Sequence, residues 1–524
     1  MEQRHRKIDT SLRERHNILS LLERLRKENI TVDEMEEIGA RLQKAGRRAL
    51  SPLVRRLWRE KNGDIISRYT YLLDFFEDDS WLDQLIKITL TRKDLEEEGK
   101  SVLLSALEGY GVDVSAPPFA RLLDEVGGPL QLIVPRLLDK GERGLVMFME
   151  DFVSYTPDAQ RALVRELAQV DDPRVLDIFA VLLGFDEPET QREAVEMLGR
   201  IRAPRAVTLL KSYLGTASGE LRGAAERSLR RLSFLGLDIT VEPEPLLAFC
   251  ATYASPPDAS GISCLFVARW TGPDRLDTLF LELHETTGMR EAWGWSGVTP
   301  EEYRKIVTDN NVDDSLVQVE PAYLVALVCD AMHRSFGNGF YMPPEFYVRQ
   351  RLFAGLELVP APYEPAFADF APEASVTPQR IAEGMELFGD YFFDGWFIFN
   401  EQVRLLSGEL ERLGDEPFAG RDGAVVEQFL EEWCRDQVAP QLEQLVRRLR
   451  LTAALMDEAE RDRQLIELTL VAAHSIAQGM VPLHRHPFLR RWLLELIDMV
   501  RDARAEGYEF PPPRREADDD GGWV

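Results

Sequence analysis

Cysteine is scarce in this chain, and the four residues present, Cys250, Cys264, Cys329 and Cys434, lie far apart with no C-x-x-C pair. That spacing excludes a disulfide framework and a zinc ribbon and fits a reducing compartment, with the thiols as small core residues. No apolar run approaches the roughly 18 residues of a membrane-spanning helix, and Met1 to Ile8 is polar with no apolar leader segment, so a cytoplasmic protein is expected. Glycine patterns that hold phosphates or nucleophiles are also missing. Gly337-Asn338-Gly339 lacks both the third glycine of a dinucleotide loop and the lysine of a P-loop, and reads as a turn. Gly294-Trp295-Ser296-Gly297-Val298 has valine where a nucleophile elbow needs its last glycine. No catalytic residue set and no cofactor are indicated.

What is present is an ordinary globular balance, 45% hydrophobic and 29% charged, in 524 residues. That length is too great for one core and implies about three or four units. The net charge is -28 and is unevenly spread: residues 1–236 hold 37 basic against 40 acidic side chains, residues 237–524 hold 25 against 50. The acidic half disfavours nucleic acid and anionic membranes, whereas residues 1–61, with 16 basic against 10 acidic, could attract anions.

The chain repeats itself at a period of 31: Pro157, Gln160, Arg161, Leu167, Val170, Pro173 and Arg174 recur as Pro188, Gln191, Arg192, Leu198, Ile201, Pro204 and Arg205. Ala194, Leu198 and Ile201 recur again as Ala225, Leu229 and Leu232, and the copy then decays after one helix, at Gly236. Two apolar helical stretches per period, with a proline between them, describe helix pairs that bury their apolar faces only against neighbouring pairs, which makes a stacked solenoid. Divergent stretches at Met35–Leu42, Ala49–Trp58, Ile65–Phe76, Trp81–Leu90 and Val102–Leu107, with a break at Glu77-Asp78-Asp79-Ser80, extend this to about six pairs across 34–236. Residues 1–33 form a capping amphipathic helix, with Ile8, Leu12, Leu19, Leu22 and Leu25 as its stripe. A dimerising coiled coil or a nucleic-acid arm is the competing reading of that helix.

Pro188 to Leu214, with its Q-R-E-A-V-E-M-L-G-R-I-R-A-P-R-A-V-T-L-L core, resembles HEAT-like repeats of the kind found in phycobilin lyases and many bacterial scaffold proteins. The resemblance implies a right-handed superhelix whose second helices line a concave, partner-binding face. On that analogy Arg174, Asp177, Arg205, Thr208 and Lys211 lie on or near the face. The plainer reading of Arg174 and Arg205 is a stacking ladder between repeats.

After Gly236 the character changes. Pro243, Pro245, Pro256 and Pro257 precede two β segments, Ile262–Trp270 and Leu276–His284, which form a hairpin with Leu279, Leu281 and Leu283 on one face and Phe280, Glu282 and His284 on the other. A helix begins at Thr299-Pro300, Val317–Val319 adds a strand, and Tyr323–Phe336 is a buried helix, giving a small α+β module over 240–360. Trp270, His284, Glu285, Trp293 and Trp295 are its candidate ligand pocket, against the alternative of indoles closing a small core. Helices at Ile381–Phe399, Glu401–Leu413, Val425–Trp433, Gln441–Met456, Arg461–Gln478 and Pro487–Ala505 make a C-terminal helical domain over 378–508, followed by a disordered acidic tail over 509–524. Seven rings between Phe388 and Phe399 plug a junction or form a hot spot. His474, His484 and His486 are the one histidine group to weigh for a metal, with a plain loop as the alternative.

The fold class is therefore mainly α: a HEAT-like α-solenoid, a small α+β module and a C-terminal helical bundle. The expected function is a non-enzymatic scaffold or adaptor that holds a protein partner, with neither nucleic acid nor membrane as its target. An enzyme or small-ligand binder with its site in the α+β module is the alternative, and nucleic-acid binding through the basic N-terminal region the second.

Overall fold

The computed structural model describes residues 18–27, 30–76, 80–92, 94–95, 97–112, 114, 119, 130–241, 248–311, 315–398, 400–414, 416–418, 423–508 and 510. Ile8, Leu12, the Glu77–Asp79 break, Pro243, Pro245, Phe399 and all of the tail except Phe510 lie outside them. The chain divides into two compact units, Met1–Ile133 and Val134–Val524.

The first unit is helical: residues 18–24, then α1 (Val32–Ala45), α2 (Arg47–Leu57), α3 (Gly63–Tyr71), α4 (Ser80–Thr91) and α5 (Glu97–Gly109). Thr31 and Glu34 form a reciprocal capping box at the start of α1, and the Asn62 side chain accepts from Ile65 N at the start of α3, each satisfying amides that a helix terminus leaves unbonded. Arg92, itself buried, donates to the carbonyls of Leu57, Trp58 and Glu60 and so closes the C-terminal end of α2. The expected N-terminal stripe holds at Leu22 and Leu25 and fails at Leu19. Ile18, Leu22 and Leu25 are buried in this core, while Leu19 is exposed.

The boundary falls within α6 (Leu130–Leu138), and the second unit continues as an array of α7 (Glu142–Ser154), α8 (Pro157–Leu167), α9 (Val175–Leu182), α10 (Pro188–Leu198), α11 (Pro204–Leu214) and α12 (Gly219–Phe234). First helices α8, α10 and α12 stack in one row, and second helices α9 and α11 in the other, with Phe152 at the end of α7 edge-on to Phe185 beyond α9. The repeated letters each have a physical role. Pro157 and Pro188 open their helices at the first turn, where the missing amide costs nothing. Gln160 donates to Phe152 O at 3.0 Å and Gln191 to Leu183 O at 2.5 Å, so the repeated glutamine caps the carbonyl end of the preceding second helix. Arg161 pairs with Asp158, and Arg192 with Glu189, one turn back. Gly199 lets α12 approach closely, since a Cβ there would lie 2.7 Å from the Ser228 side chain.

A five-stranded antiparallel sheet follows, in the order β4-β3-β2-β1-β5, from β1 (Phe249–Ala254), β2 (Ile262–Gly272), β3 (Arg275–His284), β4 (Gly288–Trp293) and β5 (Val317–Gln318). The β2–β3 hairpin, the β5 strand and the helices α13 (Pro300–Asn310) and α14 (Pro321–Gly337) stand where the residue pattern puts them; β1 and β4 are additional. Both faces are covered. Phe266, Leu276 and Phe280 meet Tyr303 and Val307 of α13, while Leu265, Val267, Leu279 and Leu281 are buried on the other side. There α14 lies against β1 and β4, and α15 (Pro344–Arg349) against β3 and β4.

The C-terminal helices are α16 (Pro378–Glu383), α17 (Glu401–Leu413), α18 (Ala424–Trp433), α19 (Leu442–Glu458), α20 (Arg463–Ala477) and α21 (Pro487–Ala505). One expectation is corrected here: Ile381–Phe399 is not a single helix. It breaks after α16 into two 3₁₀ segments, Gly384–Gly389 and Tyr391–Trp396, because Gly384 and Gly389 weaken the helix and the Asp390 side chain caps Phe392 N. The break turns Phe388, Phe393 and Trp396 together onto Phe488 and Trp492 of α21. Gly395 O meanwhile accepts from Ala259 N at 3.0 Å, joining this aromatic knot to the sheet module.

Candidate functional site: the second-helix face

The second helices α9 and α11 each begin at an arginine that reaches back along the row. Arg174, at the start of α9, is held by Asp172 at 2.8 Å and by Asp139, beyond α6, at 2.7 Å. Arg205, at the start of α11, pairs with Asp177 on α9. This is the ladder between repeats that the plainer reading anticipates, and it remains half in solvent: the side chains of Arg174 and Arg205 are 43% and 51% exposed. One turn on from Arg205, Thr208 donates weakly to Pro204 O at 3.5 Å. Lys211 helps hold the Asp238 carboxyl below its ordinary range, after the larger effect of the Thr240 hydroxyl and amide. Arg174 with its two aspartates, and Arg205 with Asp177, thus form two ion-pair groups at successive steps of the row, and Thr208 and Lys211 follow along α11.

The α7 end of the row is already occupied. Helix α15 lies along α7 and touches α9. Arg349 donates to Glu142 at 3.0 Å, the Tyr347 hydroxyl donates to Asp186 at 2.5 Å, and the rings of Tyr341 and Tyr347 sit 5.4 and 5.3 Å from Phe185. Gly184 leaves the space that the Gln350 side chain fills. Burial outweighs the tyrosine hydrogen bond at Asp186 and pushes its carboxyl up to about 6.

The five residues weighed as a pocket in the sheet module part into three places. Trp293 and Trp295 flank Phe280, with ring centroids at 5.9 and 5.4 Å, and Trp270 joins the same core from the far end of β2, where it pairs with Leu276. His284 ends β3 eight positions beyond Leu276. Its Nδ1 accepts from Thr286 N and Thr287 N at 3.3 Å, which closes the β3–β4 turn, and burial lowers its pKa. Glu285 turns away from the indoles altogether. Its carboxylate accepts from Arg448 Nε of α19 at 2.9 and 3.0 Å, and the two side chains are only 4% and 5% exposed.

The histidines also separate. His486 is buried with Nε2 2.9 Å from Ser475 Oγ, so its ring is hydrogen-bonded within the helix pair. His474 packs edge-on to Phe370, and no group of three metal-ligating side chains occurs among the described residues. Burial raises all four thiols, Cys264 to about 11 and Cys434 to about 12, which makes them poor nucleophiles. Ser296, of the incomplete glycine motif, contacts Glu142 at 2.5 Å and Arg349 at 3.2 Å and serves the same junction as α15. Sequence reasoning missed Phe185 and Asp186, which have no counterpart at the same place in the next repeat: Thr216 and Ala217 stand there. That departure from the period was the available signal.

Comparison with known families gives one match, to HEAT repeats over residues 151–230. No curated protein and no solved structure matches the chain. The match coincides with α8 to α12 and their approach from α7, and among the described residues no helix is long and apolar enough to cross a membrane.

Proposed function

We propose that this chain is a cytoplasmic, non-enzymatic scaffold or adaptor of a bacterial type that binds a protein partner along the second-helix row over α9 and α11. Arg174, Asp177, Arg205, Thr208 and Lys211 would supply the contacts. The likeness to phycobilin lyase repeats enters this reading as architecture alone. The observation that carries it is the arginine ladder: Arg174 to Asp139 and Arg205 to Asp177 set charges of both signs at regular steps on a half-exposed face. A face of mixed sign suits a folded protein or a helix better than a polyanion. The same row already accommodates a folded element at its α7 end, where α15 uses ring contacts, a tyrosine hydroxyl and an arginine.

The test uses the full chain, because α15 joins the array to the sheet module and a cut near residue 236 would expose that junction. A photo-crosslinking residue is placed at Thr208 or at Lys211, with the exposed first-row Glu166 as control. The reading expects one discrete adduct from Thr208 and Lys211, absent from Glu166, and lost from the Thr208 probe when Arg205→Glu and Lys211→Glu are combined. Equal adducts at all three positions, or none at Thr208 and Lys211, would overturn it.

A further inference from the structure

The last helix of the array, α12, buries Ala224, Ala225, Ser228, Leu229 and Leu232 and turns Arg227, Arg230, Arg231 and Phe234 to solvent. Those four positions are i, i+3, i+4 and i+7, so they form one stripe. Phe234 is 91% exposed, the most exposed large apolar side chain described. Among the described residues no carboxylate lies within ion-pair distance of Arg227, Arg230 or Arg231, in a chain whose net charge is -28. The repeat gives this stripe its meaning. One period earlier, Gly199 and Ala203 stand where Arg230 and Phe234 now are, and Gly199 is the point at which α12 itself closes on α10. The Arg230 side chain excludes so close an approach at the next step. Two periods earlier, Arg165 stands where Arg227 is, and Arg165 reaches a glutamate on the next first helix, Glu193, at 2.8 Å. The array therefore ends on a row of guanidinium groups, one of which stands where, two repeats earlier, Arg165 is answered by a carboxylate on the following helix.

We propose that the outward face of α12 docks an acidic amphipathic helix of a protein partner, which takes the next place in the first-helix row. Its carboxylates meet Arg227, Arg230 and Arg231, and an apolar side chain covers Phe234. This is independent of the second-helix face, which lies on the other row. Nucleic acid is the disfavoured occupant, because the field of a strongly anionic protein repels a polyanion.

The test measures fluorescence anisotropy of a labelled helical peptide with glutamates at i, i+3 and i+4 and leucine at i+7, titrated with the full chain. Its glutamine counterpart and a single-stranded oligonucleotide serve as separate probes. Saturable binding of the glutamate peptide is expected, weakened tenfold or more by Arg227→Glu with Arg230→Glu, weakened several-fold by Phe234→Ala and unchanged by Arg205→Ala with Lys211→Ala. All the substituted side chains are at the surface, and unchanged thermal unfolding confirms that each variant folds. Binding that ignores the α12 substitutions, equal binding of the glutamine peptide, tighter binding of the oligonucleotide through the same arginines, or a dimer of this chain abolished by those substitutions would each overturn the proposal.

Discussion

Replacing Arg448 with methionine should loosen the contact between the sheet module and α19 more than any surface change. The guanidinium donates to both oxygens of Glu285 and to Ala259 O, and both charged side chains are almost fully buried. Methionine keeps the volume but leaves a buried carboxylate without a cation. Removing one member of a buried pair costs about 3–5 kcal/mol; at 1.4 kcal/mol per factor of ten, a loss of about 4 kcal/mol is roughly a thousandfold change in an opening equilibrium. The double variant Glu285→Leu with Arg448→Met removes both charges and leaves only Ala259 O short of a donor, which costs about 1–3 kcal/mol. A chain of two units need not unfold in one step, so the assay is native-state hydrogen exchange, read over Ile262–His284 and Leu442–Glu458. The single variant should lose about a thousandfold in protection at both segments, and the double variant should recover roughly five- to a hundredfold of that. Protection within tenfold of wild type in the single variant, or no recovery in the double, would refute the reasoning.

The remaining predictions concern separate places. Asp186, raised from 3.8 to about 6, favours the folded state most below pH 3.8, and that contribution is lost as pH rises through 6. Asp186→Asn should therefore be more stable than wild type above pH 6, by at most roughly 3 kcal/mol, as seen in pH-dependent denaturation. His486 has the opposite sign. Burial depresses it from 6.5 to about 4, so its contribution is present above pH 6.5 and lost as pH falls to 4, and His486→Gln should flatten that acid limb. Gly199→Val should destabilise the array by about 1–3 kcal/mol through overpacking against Ser228, measured by urea denaturation. Trp396→Ala should cost about 3–5 kcal/mol by emptying the knot beneath Phe488 and Trp492, seen as a fall in Tm.

Much of this fold was legible because its signals are local. The period of 31 carries the array, since each repeated proline, glutamine and arginine does the same work at each step. The Thr299 box and the prolines that open α13 and α14 mark their helices equally well. What the residues did not disclose depends on distant partners. Strand β1 lies beside prolines, and β4 alternates too briefly to stand out from the turns around it; each becomes a strand through the neighbour that bonds it. The stretch from Ile381 to Phe399 holds enough apolar residues for a helix, yet its rings need Phe488 and Trp492, about a hundred positions away, and the chain bends to reach them. At the second-helix face the arginines were legible as a ladder, whereas the seat of α15 was not, because Phe185 and Asp186 acquire meaning only opposite Tyr347. Glu285 shows the same limit: adjacency to His284 in sequence placed it among the tryptophans, and Arg448, far along the chain, takes it away.

The most direct measurement is hydrogen exchange of the full chain with and without the partner captured at Thr208 and Lys211. Added protection confined to Arg174–Leu182 and Pro204–Leu214 is the result the account predicts. Protection that falls instead on the tryptophans around Phe280, or nowhere in the array, would contradict it.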